Sequence, residues 1–267
     1  MACDYAGLNH LGWVRRVQAR GEDVTERLLG DEGLLRGLYP AGLFDPALIR
    51  ALRLIPTEYL FFYYSQRRAY RNQLSAGASR GEELQRMNRG LFEQLGTQTD
   101  AEALETYTEY LQQRNASYMK LEGQGESAFS AVGNEPNPFE LATGYHRIAL
   151  DVMNGLLSER AREIVLNVSN GGAIEDLEAK DVVEVPCEVD RGGARPKRIG
   201  RLPEQVRGLT LSVKAYERTA IRSSVEGSRA IAQLALLEYP SVGQWEVAGE
   251  VLGAMVEADP EGLGYLR

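Results

Sequence analysis

Cysteine and histidine are scarce in this 267-residue chain, with two of each. Cys3 and Cys187 are too few for a disulfide framework, so a reducing cytoplasm is the expected location. No C-x-x-C or H-x-x-x-H pairing occurs, so spacing alone supplies no metal site. The longest apolar run, Leu60 to Tyr64, falls far short of the roughly 18 residues a membrane-spanning helix needs. The opening MACDYAGLNH has no basic stretch followed by an apolar core, so no signal peptide is expected. A strand leading through G-x-G-x-x-G into a helix is missing, which excludes the dinucleotide-binding fingerprint, and so is the G-x-S-x-G elbow of the serine hydrolases. Positive charge is in deficit: 30 Lys and Arg stand against 38 Asp and Glu, for a net charge of −8. That balance disfavours non-specific binding to a phosphate backbone.

What remains is an ordinary globular composition, 43% hydrophobic and 25% charged, long enough for one large domain or two small ones. Most of it reads as helix. Ser79 to Glu82 (SRGE) and Thr99 to Glu102 (TDAE) fit capping boxes, opening helices over roughly 80–95 and 100–122. From about Pro203 to Leu237 the apolar positions Leu209, Val213, Tyr216 and Ala220 form one helical stripe, with a break expected near Gly227. A further helix is predicted from about Val242 to Ala258, ending before Pro260. Strand signals concentrate in Glu163 to Val168 and Asp181 to Val189, separated by the turn-like Ser169 to Gly172 and a short helical segment. Asp190 to Gly200 reads as a hairpin connection or exposed loop, and Gly133 to Pro138, with Gly123 to Glu126, as loop.

Few residues can carry chemistry. His10, flanked by Leu8 and Leu11, is either a satisfied core histidine or a metal ligand or proton carrier oriented by a neighbour. His146 begins a helix and reads as structural or solvent-facing. The aromatic run Ile55 to Tyr64 reads as a core helix opened by Pro56 at its first turn. A tyrosine there works as a base only where a cation or metal lowers a phenol value normally near 10.

These same segments resemble the NAD-dependent family 4 glycoside hydrolases, most closely the 6-phospho-β-glucosidase branch. Gly7 to Trp13 (GLNHLGW) is similar to the family's metal-histidine motif, and Ile55 to Tyr64 (IPTEYLFFYY) to its Pro-x-x-Tyr-Leu-x-Tyr-Tyr segment. Arg80 to Leu95, Val165 to Leu177 (VLNVSNGGAIEDL), Val182 to Val189 and Val213 to Ala220 (VKAYERTA) continue the likeness in order.

The resemblance implies an α+β, mainly helical fold, like the C-terminal domain of lactate and malate dehydrogenases. It carries a small antiparallel or mixed sheet over about 163–200, without a Rossmann domain, and the whole chain 1–267 forms the substrate- and metal-binding domain. It implies His10 as a ligand of a catalytic divalent metal, usually manganese, Tyr59 as the base at sugar carbon 2, and Arg80 as the holder of the 6-phosphate. In the implied reaction NAD takes a hydride from carbon 3, the metal polarises the ketone, and elimination expels the aglycone. The family's NAD site and its second metal ligand, a cysteine upstream of the histidine motif, have no counterpart here, so the chain alone is expected to be inactive. Phe61 and Phe62 stand where the family commonly has arginine and tyrosine. The implied partners are a phosphorylated sugar and either a separate N-terminal domain or further copies of the chain, with no nucleic acid and no membrane. The competing readings are a non-catalytic sugar-phosphate-binding or oligomerisation module and a hydroxyacid dehydrogenase remnant. The tyrosine-rich segment argues against the last.

Overall fold

The computed structural model describes residues 2–38, 43–120, 122 and 144–267, so the loops expected at Gly123 to Glu126 and Gly133 to Pro138 lie outside the described residues. The strands are β1 (Ala2–Leu8), β2 (Leu11–Ala19), β3 (Glu22–Asp23), β4 (Ile55–Pro56), β5 (Arg162–Ser169), β6 (Val182–Asp190) and β7 (Gly193–Pro196). The first helices are α1 (Thr25–Gly30), α2 (Glu32–Gly37), α3 (Pro46–Leu52), α4 (Phe61–Tyr64), α5 (Gln66–Ala76) and α6 (Arg80–Leu95). They are followed by α7 (Asp100–Ala116), α8 (Gly144–Leu156), α9 (Glu204–Glu226), α10 (Arg229–Glu238), α11 (Trp245–Ala258) and α12 (Pro260–Leu263). The chain is thus mainly helical with a small antiparallel sheet, as expected. It divides into two compact units. The first comprises Met1–Asp4, Trp13–Ile164 and Val189–Gly193, and the second Tyr5–Gly12, Val165–Glu188 and Ala194–Arg267.

In the first unit β2 pairs antiparallel with β3 (Gln18↔Asp23) and with β4 (Trp13↔Pro56, Val14↔Ile55). This corrects two expectations. The sheet is not confined to 163–200, and Pro56 sits in a two-residue strand rather than in the first turn of a helix. Proline fixes φ at a value that serves both settings, so the local signal is ambiguous. The helix expected over the aromatic run begins only after a 3-10 turn, Glu58–Leu60, and runs Phe61–Tyr64. Trp13, Leu60 and Phe61 are fully buried, each apolar side chain worth about 2–3 kcal/mol in burial. The Trp13 indole donates to the Tyr64 hydroxyl at 3.2 Å. Burial raises the Tyr64 pKa, and that hydrogen bond offsets part of the rise.

Helices α6 and α7 open on the capping boxes the sequence announces. Glu82 accepts from the Ser79 backbone N–H at 2.6 Å while its own N–H donates to Ser79 Oγ. Glu102 accepts from the Thr99 N–H at 2.9 Å. Helix α7 stops at Ala116, short of the expected residue 122, and the chain turns through Ser117 to Lys120 with Met119 left-handed at φ 51°.

In the second unit β6 lies between β1 and β5, with Gly7 opposite Glu184. The alternation Val183, Val185, Cys187 is fully buried, and burial pushes the Cys187 thiol up. Among the described residues the connection from β5 to β6 holds no helix, a further departure from expectation. Buried Asn170 organises it instead, donating to the carbonyls of Ile174, Leu177 and Glu178 and accepting from the Ile174 N–H at 2.7 Å. The turn from β6 into β7 is the hairpin read at Asp190 to Gly200. Helices α9 and α10 separate at Gly227, which adopts φ 65° as only glycine does without strain. Ala232, Leu252 and Leu266 form a cluster there, with Leu236, Val256 and Leu263 packed against it.

The buried face of α9 extends beyond the predicted stripe. Val213 is buried and Leu209, Tyr216 and Ala220 are partly buried, but Val206, Thr210 and Lys214 are buried too, with Thr210 back-bonding to the Val206 carbonyl and the Lys214 ammonium donating to Val182 O at 2.7 Å and to Glu217. One turn on, Arg218 grips buried Asp181, with Nε to Oδ1 at 2.9 Å, and also reaches Glu178 at 3.1 Å. Burial alone would raise the Asp181 pKa, but the Arg218 bonds, the Glu178 N–H and the charges of Arg218 and Lys214 together hold it below the usual value. A depressed carboxyl contributes stability that is present above its unfolded value near 4 and lost as pH falls through the folded one. Asp181→Asn is therefore expected to lower stability at neutral pH by about 1–3 kcal/mol. It is also expected to flatten the acid limb of stability against pH in urea titrations between pH 3 and 7. An acid limb unchanged from the wild type would refute this account.

Candidate functional site

The predicted site residues fall in two groups, one in each unit. The first is the tip between β1 and β2, read from the motif Gly7 to Trp13. Leu8 and Leu11 are buried and pin its ends, while Asn9 and His10 stand exposed at the turn. His10 is left-handed at φ 61°, a conformation His adopts more readily than most residues but still at a cost. The buried-core reading of His10 is thereby excluded. The glycines of the motif have steric reasons. A Cβ at Gly7 would meet the Leu11 carbonyl and Gly12 Cα, and one at Gly12 would meet the Tyr5 ring and hydroxyl. That hydroxyl donates to Glu184 of β6 at 2.5 Å, and Asn167 of β5 donates to Asn9 Oδ1 at 3.2 Å. Tyr5, Glu184, Asn9 and Asn167 tie the tip together, and the sequence did not single them out.

The second group lies in the first unit, around Tyr59 and Arg80. Tyr59 is half-buried in the 3-10 turn, its ring 6.3 Å from that of Phe62 and 6.4 Å, edge-on, from that of Tyr118. Tyr118 Oη donates to Glu58 at 3.4 Å. Arg80, the first residue of α6, donates from one terminal nitrogen to Glu83 at 2.8 Å and Ser117 Oγ at 2.5 Å, and from the other to the Arg114 carbonyl at 3.0 Å. Ser117 and Tyr118 thus join Arg80 to Tyr59. The corner exists because α7 ends where the sequence predicts more helix.

Phe61 is a core residue under the Arg68 guanidinium, 4.5 Å from its ring, so the substitution there changes the core, and only Phe62 borders Tyr59. Burial lowers the Arg68 pKa. His146 is exposed on α8, Cys3 is exposed and Cys187 buried, and both thiols are free. Among the described residues no group of three His, Cys, Asp or Glu side chains could hold a metal ion. His10 can therefore be at most one ligand of a metal that draws its remaining donors from water, substrate or elsewhere.

Residues 5–242 match the family model described as the Family 4 glycosyl hydrolase C-terminal domain, and the chain belongs to that family. It is 27% identical to the 6-phospho-beta-glucosidase BglT of Thermotoga maritima over 257 residues, covering 96% of this chain and 54% of that protein. It is 26% identical to the probable 6-phospho-beta-glucosidase of Bacillus subtilis, covering 95% of this chain and 52% of that one. A solved structure of the Thermotoga maritima enzyme with NAD and glucose-6-phosphate superposes with a TM-score of 0.72 at 25% identity, covering all of this chain and 55% of that one. A second, with manganese, NAD+ and glucose-6-phosphate, gives 0.70 at the same identity, over all of this chain and 54% of that one. The chain therefore spans about half the length of the relatives it matches.

The tip geometry yields a direct check. His10→Gly is expected to leave thermal stability unchanged or raise it by about 0.5 kcal/mol, because glycine takes the left-handed turn freely. Gly12→Ala is expected to cost about 1–3 kcal/mol by overpacking against Tyr5. Melting curves of both variants decide, and a marked loss in the first would make the imidazole a structural group.

Proposed function

We propose that this chain is the sugar-phosphate-binding, C-terminal part of a 6-phospho-β-glucosidase acting with NAD and a divalent metal, its two compact units serving as one functional domain. The observation that carries this reading is a family 4 C-terminal domain in which Ser117 and Tyr118 tie Arg80 to Tyr59. Arg80 offers the guanidinium that binds a phosphate ester through two parallel hydrogen bonds. Tyr59, as the phenolate that a neighbouring cation would have to stabilise, would accept the proton from sugar carbon 2, its ring flanked by those of Phe62 and Tyr118. When bound, NAD supplies the hydride acceptor that makes that proton acidic, and its site is assigned to residues outside this chain. His10 would offer one imidazole to the divalent metal, and among the described residues no group of three His, Cys, Asp or Glu side chains gathers there. The free thiols Cys3 and Cys187 support a reducing, cytoplasmic setting.

A second reading, a non-catalytic assembly or sugar-phosphate module, is favoured by helix α8, where Tyr145, Ile148, Met153 and Leu156 are all exposed. Calorimetry with glucose 6-phosphate tests the proposal. The chain is expected to bind weakly, and Arg80→Ala to weaken binding about tenfold or more, the worth of a charged hydrogen bond. With NAD and manganese supplied, the chain alone is expected not to turn over a chromogenic 6-phosphoglucoside. Absence of any binding would favour the assembly module instead.

A further inference from the structure

The Arg80 guanidinium is already occupied by an anion of its own helix. Glu83, three residues on, places a carboxylate oxygen 2.8 Å from the same nitrogen that donates to Ser117. Both side chains keep solvent exposure, 32% for Arg80 and 42% for Glu83. We propose that Glu83 is a built-in competitor for the sugar phosphate, holding Arg80 in the empty protein and swinging aside when the dianion arrives. The inference rests on the reading of Arg80 as the phosphate-binding residue.

The chemistry makes the two anions exclusive. Carboxylate and phosphate both seek the planar fork of the guanidinium, and both together on one face would place like charges in contact. The other ties of Arg80 differ in kind. Ser117 Oγ and the Arg114 carbonyl are neutral acceptors, so they can keep the guanidinium oriented after Glu83 has left. Displacement is easy because an exposed ion pair between neighbouring turns contributes little. Glu83 also lies in the first turn of α6, where the helix N-terminus still favours its charge once the pair is broken.

Isothermal titration of the whole chain with inorganic phosphate and with glucose 6-phosphate tests this, using Glu83→Gln, Arg80→Ala and Glu93→Gln. Glu93 is an exposed acid on the same helix and controls for a general loss of negative charge. Glu83→Gln is expected to bind both ligands about two- to fivefold tighter, the range set by a surface ion pair. The gain should shrink as salt is raised, and Glu93→Gln should bind as the wild type does. If Arg80→Ala loses binding while Glu83→Gln binds no tighter than the wild type, the competitor role is wrong and the phosphate reading stands. Equal tightening by Glu93→Gln also overturns the competitor role. If wild type and Arg80→Ala bind alike, or no variant binds, the phosphate reading falls and takes this inference with it.

Discussion

The contact on which the Tyr59 and Arg80 group depends is the fork of hydrogen bonds from Arg80 to the end of α7. One guanidinium reaches Ser117 and the Arg114 carbonyl, more than thirty residues along the chain. It closes the α6–α7 pair at the end where the chain turns back. That closure fixes Tyr118, and Tyr118 in turn gives Tyr59 an aromatic edge and Glu58 a hydroxyl donor. Remove the fork and Tyr59 loses the edge of Tyr118, keeping the ring of Phe62 beside it.

The His10 group is held by a different kind of constraint. At the tip of β1 and β2 there is no room: Gly7 and Gly12 let backbone and the Tyr5 ring approach within contact, and buried Leu8 and Leu11 anchor either side. Crowding below forces the exposed residue above into a left-handed turn. A histidine at such a position is displayed outward, in keeping with a side chain offered to a ligand rather than stored in a core.

Elements written in local chemistry were legible in the sequence. The capping boxes at Ser79 and Thr99, the break at Gly227 and the β-branched strands β5 and β6 each depend on neighbours within a few positions. The family likeness, and with it the mainly helical fold, was legible from the order of the motifs. What was not legible depends on distant partners. Pro56 looks the same opening a helix as ending a strand, until Trp13 is seen opposite it. Ser117 and Tyr118 sit in a sequence that continues α7 smoothly, and only their ties to Arg80 and Glu58 mark them. The burial of Thr210 and Lys214 on α9 was not legible because both count as polar until their carbonyl partners are known.

Helix α9 carries one more implication. Lys214, Arg218 and Arg222 follow one another at four-residue intervals along the helix. Four residues rise about 6 Å and turn about 40° beyond one full revolution, so these cations form a row that winds slowly around the helix. The first two close on one short stretch of chain, Lys214 on the Val182 carbonyl and Arg218 on Asp181 and Glu178. Two successive turns of α9 are thereby pinned to residues 178–182, which couples the entry of β6 to the rotation of the helix.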